Sequence, residues 1–245
     1  DQKVLVVDFD PQGNASSALG IALEDRLEKN TYHALIGQIS LESIIKKTQV
    51  DNLFVAPSTT DLSGAEIEMV PMFSREHKLK AALFDVRNKF DFIFIDCPPS
   101  LGLLTINALT AADSFLVPLQ CEYFALEGLS QLLNSVHLVK NALNPRLIDE
   151  GIVLTMPHPN ANLSAEIIRD VRAHFGRQVF ETIIPRNVKL AEWTSHGKPI
   201  MIYDYESKGS LAYLSLAKEL ISRNVEHKME EKKPAENNTS FNQNL

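Results

Sequence analysis

Residues 3–17 read KVLVVDFDPQGNASS, and the fold follows from them. Residues 4–7 are apolar without alternation, which predicts a strand covered on both faces, as a central parallel strand is. That strand delivers Asp8 and Asp10 to one edge of a sheet. Carboxylates brought out of water there are costly unless a cation meets them. Gly13 lets the chain turn freely directly afterwards.

Further apolar, β-rich runs lie at 53–56, 92–95, 115–119, 152–156 and 179–184. Helical spacing covers 61–69, 76–86, 103–111, 128–142, 164–175 and 210–222. This alternation predicts the α/β class: a doubly wound, mostly parallel sheet with helices on both faces. Residues 1–223 read as one domain. Residues 224–245 are polar and mixed in charge, and read as a disordered tail.

Composition narrows the function classes. The 245 residues include two cysteines, Cys97 and Cys121, without CxxC spacing. A disulfide framework and a zinc site are both disfavoured, and a reducing cytoplasm fits. No apolar run is long enough to span a membrane. A net charge of −7 argues against a wholly basic nucleic-acid binder while leaving room for a local basic patch.

In open parallel sheets, ligands sit beyond the carboxyl ends of the strands. The run FDFIFIDCPPSLG, residues 90–102, ends its strand in Asp96, and Pro98 and Pro99 then stop it sharply. An apolar strand ending in Asp is how a Walker B element presents a carboxylate to Mg²⁺. Capping of the following helix is the plain alternative for Asp96 alone, at even odds. With Asp8 and Asp10 nearby, the balance shifts. Like charges at about 4 Å repel by about 4 kcal/mol per pair at an effective dielectric of about 20. A divalent metal carrying phosphates is the economical answer.

Four stretches occurring in order, VLVVDFDPQGNASSALG, FIFIDCPPSLGLLTINALTAAD, VPLQCEYFALEGLSQLL and IIPRNVKLAEWTSHGKPI, closely resemble the ParA family of chromosome- and plasmid-partitioning ATPases. That family belongs to the deviant-Walker P-loop NTPases, which include MinD. The resemblance implies ATP and Mg²⁺ as cofactors. Asp10 would position the attacking water, Asp96 would be the Walker B aspartate, and Asp8 would support the Mg²⁺ and water network. Thr155, Met156, Pro185, Arg186 and Asn187 would lie on the adenine side. Lys189, Lys198, Lys208 and Arg223 fall where the family contacts non-specific DNA. An ATP-dependent homodimer, a ParB-type partner and a cytoplasmic, nucleoid-associated location are implied as well. The helix following residue 120 is associated with dimer contacts in the family, although Leu126, Leu129, Leu132 and Leu133 at helical spacing read as core.

The sequence departs from the family at several points. Pro157, His158 and Pro159 stand where Tyr or Phe followed by Asp is usual, Lys189 where Arg is frequent, and Trp193 where a small residue or proline is common. The family's phosphate-binding loop, resembling KGGxGKT, should precede residues 4–7, yet no GxGK or GKT occurs in the 245 residues. The chain opens at Asp1 and reaches its first strand within three residues. The expectation is therefore that the first strand–loop–helix unit is absent, leaving a vacancy beside residues 4–7. These residues alone should hydrolyse no ATP and be marginally soluble. The alternative is a catalytically inactive, truncated remnant that binds DNA or a partner. A MinD-like membrane mode is set aside, because 226–245 offer no apolar helical face.

Overall fold

A computed structural model describes residues 2–158, 162–187 and 197–231. The strand β1 (Val4–Asp8) lies inside a four-stranded sheet with β2 (Lys46–Lys47), β3 (Leu53–Ala56) and β4 (Phe92–Asp96), in the order β2-β3-β1-β4. It runs parallel to both β3 and β4, while β2 is antiparallel at the rim. Leu5 and Val7 are fully buried, as the unbroken apolar run requires. A second, parallel pair consists of β5 (Ser114–Gln120) and β6 (Ile148–Thr155).

The helices are α1 (Asn14–Ala18), α2 (Thr31–Leu35), α3 (Leu62–Glu68), α4 (Lys78–Leu83), α5 (Leu103–Ala111), α6 (Ala125–Ala142), α7 (Asn162–Phe175), α8 (Ile200–Tyr203) and α9 (Lys208–Glu231). On α6, Leu129 is buried and Leu126, Leu132 and Leu133 pack against the same cluster, so these leucines are core. The two sheets are tied together through α5 and α6. Leu109, Val136 and Leu147 share a cluster, and Asn144 Nδ2 donates to the carbonyls of Leu109 and Ala112 at 2.9 and 2.8 Å.

Three expectations change. The run 179–184 is not a continuous strand; it touches β6 through two parallel bridges, Ile152 with Val179 and Thr155 with Ile184. Between them, the amides of Glu181 and Thr182 donate to the Glu219 carboxylate at 2.8 and 3.0 Å, which takes donors a ladder would use. Helix α9 runs on to Glu231, so 224–231 are helical rather than disordered. Glu, Lys and Met favour helix, and extending an existing helix needs no new nucleus. Residues 232–245 lie outside the described residues.

The third change concerns the vacancy. β1 is paired on both sides. Among the described residues, the strands with an unpaired edge next to the break are β4 and β5, and no ladder joins them. Phe94 on β4 is 43 % exposed. Beside β5, an apolar groove of about 400 Å³ is lined by Val117, Leu119, Leu132 and the exposed rings of Tyr123 and Phe124.

Candidate functional site

The ladder between β1 and β4 sets Asp8 opposite Asp96, at the carboxyl ends of both strands. One residue further, the Phe9 amide donates to the Asp96 carbonyl at 2.8 Å, and the Phe9 ring is fully buried. The chain then leaves the sheet in a tight turn. Gly13 N donates to the Asp10 carbonyl at 3.0 Å, and Gln12 N donates to Asp10 Oδ1 at 2.9 Å. Gly13 has φ +63°, which a side chain would strain. Helix α1 begins there and carries Ser16 back beneath Asp8.

Asp8 is fully buried and fully engaged. Its Oδ2 accepts from Ser16 N at 2.7 Å and Ser16 Oγ at 2.5 Å, and its Oδ1 accepts from Asp10 N at 3.3 Å. The Ser58 amide donates to Ser16 Oγ at 3.0 Å, tying the end of β3 into the same turn. Burial pushes the Asp8 carboxyl up, and the Ser16 hydrogen bonds oppose it.

Asp96 is solvent-exposed, yet desolvation at the strand end pushes its carboxyl up to about 6, with the charges of Asp8 and Asp10 adding to the shift. Burial pushes the adjacent Cys97 thiol up to about 12, so it is inert as a nucleophile.

The three aspartates therefore do not converge as three free ligands. Among the described residues, no three His, Cys, Asp or Glu side chains are grouped to hold a metal ion. Asp8 is turned into the protein as an anchor, while Asp10 and Asp96 reach solvent. This hard-oxygen donor pair suits Mg²⁺, which keeps several waters and binds through one or two carboxylates plus phosphates.

At the end of β6, Met156 N donates to the Ile184 carbonyl at 2.7 Å, bringing Thr155 and Met156 beside Pro185. Arg186 Nη2 lies 3.9 Å from Glu122 Oε1 at the end of β5, and both side chains are exposed. Met156 has φ +51° immediately before Pro157, where an extended backbone is the norm. Asn187 closes this described segment. The departure His158 uses its amide to reach Ser164 Oγ at 3.0 Å, which holds the start of α7.

Of the basic residues, Lys198 and Lys208 are exposed. Gly197 and Gly20 approach so closely that a Cβ on Gly20 would sit 2.7 Å from the Gly197 carbonyl, which docks the loop of Lys198 against the end of α1. Arg223 is committed to the fold: it donates to Arg177 O, Val179 O and Glu219 Oε1, with its guanidinium 3.9 Å from the Phe180 ring centroid. Lys189, Pro159 and Trp193 lie outside the described residues.

Sequence reading missed Arg26. It lies in the polar run LEDRLEK and reads there as a solvated charge, yet it is 6 % exposed beside Gly13 and Ser17. It also missed Ser16, because nothing in the pattern links a serine to a carboxylate eight residues earlier.

A mostly parallel sheet with helices, presenting strand-end aspartates beside a glycine turn, is an α/β fold, and its match to solved structures places that fold in the P-loop NTPase class. Residues 1–148 match a family model described as an AAA domain. The sporulation initiation inhibitor protein Soj of Bacillus subtilis is 55 % identical over 219 residues, 89 % of this chain and 86 % of Soj. The chromosome partitioning protein ParA of Myxococcus xanthus is 51 % identical over 225 residues, 92 % of this chain and 79 % of that protein. Among solved structures, cobyrinic acid a,c-diamide synthase from Mycobacterium smegmatis with bound ATP analog and magnesium superposes with a TM-score of 0.75 at 31 % identity, covering 94 % of this chain and 84 % of the synthase. The chain belongs to the Soj/ParA family of chromosome-partitioning ATPases. Among the described residues, no helix is long and apolar enough to cross a membrane.

Proposed function

We propose that this protein binds ATP with Mg²⁺ at the carboxyl ends of β1 and β4 and hydrolyses it slowly, as the switch of a DNA-partitioning system. The observation that carries this is the register of Asp8 against Asp96, with Asp10 held one turn further on. Bound Mg²⁺ would neutralise phosphate charge, which is most of what phosphoryl transfer requires of a protein. Asp96 and Asp10 would hold the ion's water shell, and Asp10 would orient the attacking water. Asp8 would act as the buried anchor that fixes the turn. Thr155, Met156, Pro185, Arg186 and Asn187 would flank the base.

The 245 residues supply the carboxylate half of such a site. A glycine-rich loop with its lysine, the phosphate-cradling half, is not among them. The unpaired edges of β4 and β5 and the apolar groove beside β5 would suit one more parallel strand and its helix. Residues beyond these 245 would have to provide it, and without them the chain would be silent toward ATP. The second reading, a non-catalytic DNA- or partner-binding remnant, draws on that same missing loop.

In the ATPase reading, nucleotide favours a homodimer that sits on non-specific DNA through Lys198, Lys208 and Lys189, and a ParB-type partner triggers hydrolysis. Intact mass of the protein from its own cells separates the two. A mass about 3 kDa above 27.4 kDa matches one further unit of about 30 residues. A mass equal to this chain's leaves the remnant.

A further inference from the structure

Arg26 is a buried cation in an unusual setting. It ends a short 3₁₀ turn, Glu24–Arg26. Its Nη1 donates to the Gly13 carbonyl at 2.9 Å and its Nη2 to Ser17 Oγ at 2.8 Å. Among the described residues, Nε is buried without a hydrogen-bond partner, and no carboxylate forms an ion pair with the guanidinium. A buried charge with no counter-ion in contact is costly, so something at longer range has to offset it. The Arg26 charge reaches the buried Asp8 carboxyl and favours its ionised form, as the smallest of the influences on that group.

Both groups hold the same turn. Asp8 takes the Ser16 amide and hydroxyl, and Arg26 takes the Gly13 carbonyl and the Ser17 hydroxyl. The amide of Gly13, in turn, holds the Asp10 carbonyl. A Cβ on Gly13 would lie 2.8 Å from Arg26 Nη1, so the glycine and the arginine are fitted to each other. One backbone carbonyl and one hydroxyl are neutral acceptors, so these contacts fix the guanidinium in place without neutralising it. What the arrangement does hold is the position of the segment bearing Asp10.

We propose that Arg26 is a positioning residue that sets the place of Asp10 through the Gly13 carbonyl. This rests on the reading of Asp10 as the residue that orients the attacking water. The test uses the full-length protein as wild type, Arg26→Met, Arg26→Lys and Ser17→Ala, with folding checked by circular dichroism. Hydrogen exchange is read over residues 10–17 and over β3 and β4, and MgATP turnover is measured alongside.

Arg26→Met should speed exchange in residues 10–17 while leaving β3 and β4 unchanged. Its kcat should fall about tenfold to a hundredfold, the scale of a misplaced reacting group, with KM little changed. Arg26→Lys should recover most of the loss, and Ser17→Ala should shift both readouts less, in the same direction. Unchanged exchange over residues 10–17 in Arg26→Met overturns the proposal, and so does a uniform speeding at all sites with kcat per folded molecule intact. A wild type that turns over no MgATP removes the nucleotide reading instead, and the exchange comparison then decides the hold of Arg26 on the turn.

Discussion

Ser16 donates both its amide and its hydroxyl to the same oxygen of the buried Asp8 carboxylate, at 2.7 and 2.5 Å. The turn after β1 is thereby built around a charge. Ser16→Ala removes one charge-assisted hydrogen bond and leaves the Ser58 amide without its acceptor. A loss of about 2–3 kcal/mol is expected, since hydrogen bonds to charged groups are worth about 1.5–3 kcal/mol. Urea unfolding at neutral pH measures it, and a change near zero would mean that water replaces the hydroxyl.

Gly13→Ala should be costly for two independent reasons. A left-handed backbone strains a side chain by about 1–3 kcal/mol, and the new Cβ would lie 2.8 Å from Arg26 Nη1 and 3.0 Å from the Ser58 carbonyl. Thermal unfolding should show a lower midpoint than for a control alanine at the exposed Gln12.

The pH dependence follows from Asp96. Its carboxyl sits at about 6 in the fold, against an ordinary value of 3.8. Between those values the folded protein holds a proton that the unfolded chain has released, so this contribution to stability is largest below about pH 4 and is lost as pH rises through 6. Solvent reaches Asp96, so the effect is smaller than the shift alone implies. The difference in urea midpoint between wild type and Asp96→Asn should widen in favour of Asn from pH 4 to pH 7. A difference that stays constant with pH contradicts this.

Arg223 and the exposed lysines should separate cleanly. Arg223→Ala loses two backbone acceptors, the Glu219 pair and the Phe180 face, and should destabilise the protein by about 2–3 kcal/mol. Lys198→Ala and Lys208→Ala should leave stability unchanged and reduce the salt dependence of DNA binding by about one phosphate contact each. Electrophoretic mobility shifts across a salt series, beside melting curves, read both effects.

The unpaired strand edges carry a solubility prediction. Phe94→Lys places a charge on the open strand β4, where Phe94 is 43 % exposed. Sedimentation velocity of the 245-residue chain should show less self-association for this variant, because edge lysines block strand addition.

Much of this was legible in the sequence. Unbroken apolar runs gave β1, β3, β4, β5 and the second half of β6, and in β1 and β6 the run reports a strand covered on both faces. Short elements such as Thr31–Leu35, capped by Asn30, span too few residues for periodicity to register. The strand-end aspartates were visible as well, but their roles were not. Asp8 and Asp10 look alike in VDFD, and only the return of Ser16 from α1 turns one inward and leaves the other at the surface. Arg26 was hidden for the converse reason, since charges in a polar run give no sign that a turn has closed over one of them.

The most direct test of the account is MgATP hydrolysis by the full-length protein, wild type against Asp10→Ala, with EDTA as control. The account predicts slow, EDTA-sensitive turnover in the wild type, and an Asp10→Ala protein that still binds Mg²⁺–nucleotide but loses turnover. Equal turnover in Asp10→Ala, or turnover that survives EDTA, would contradict it.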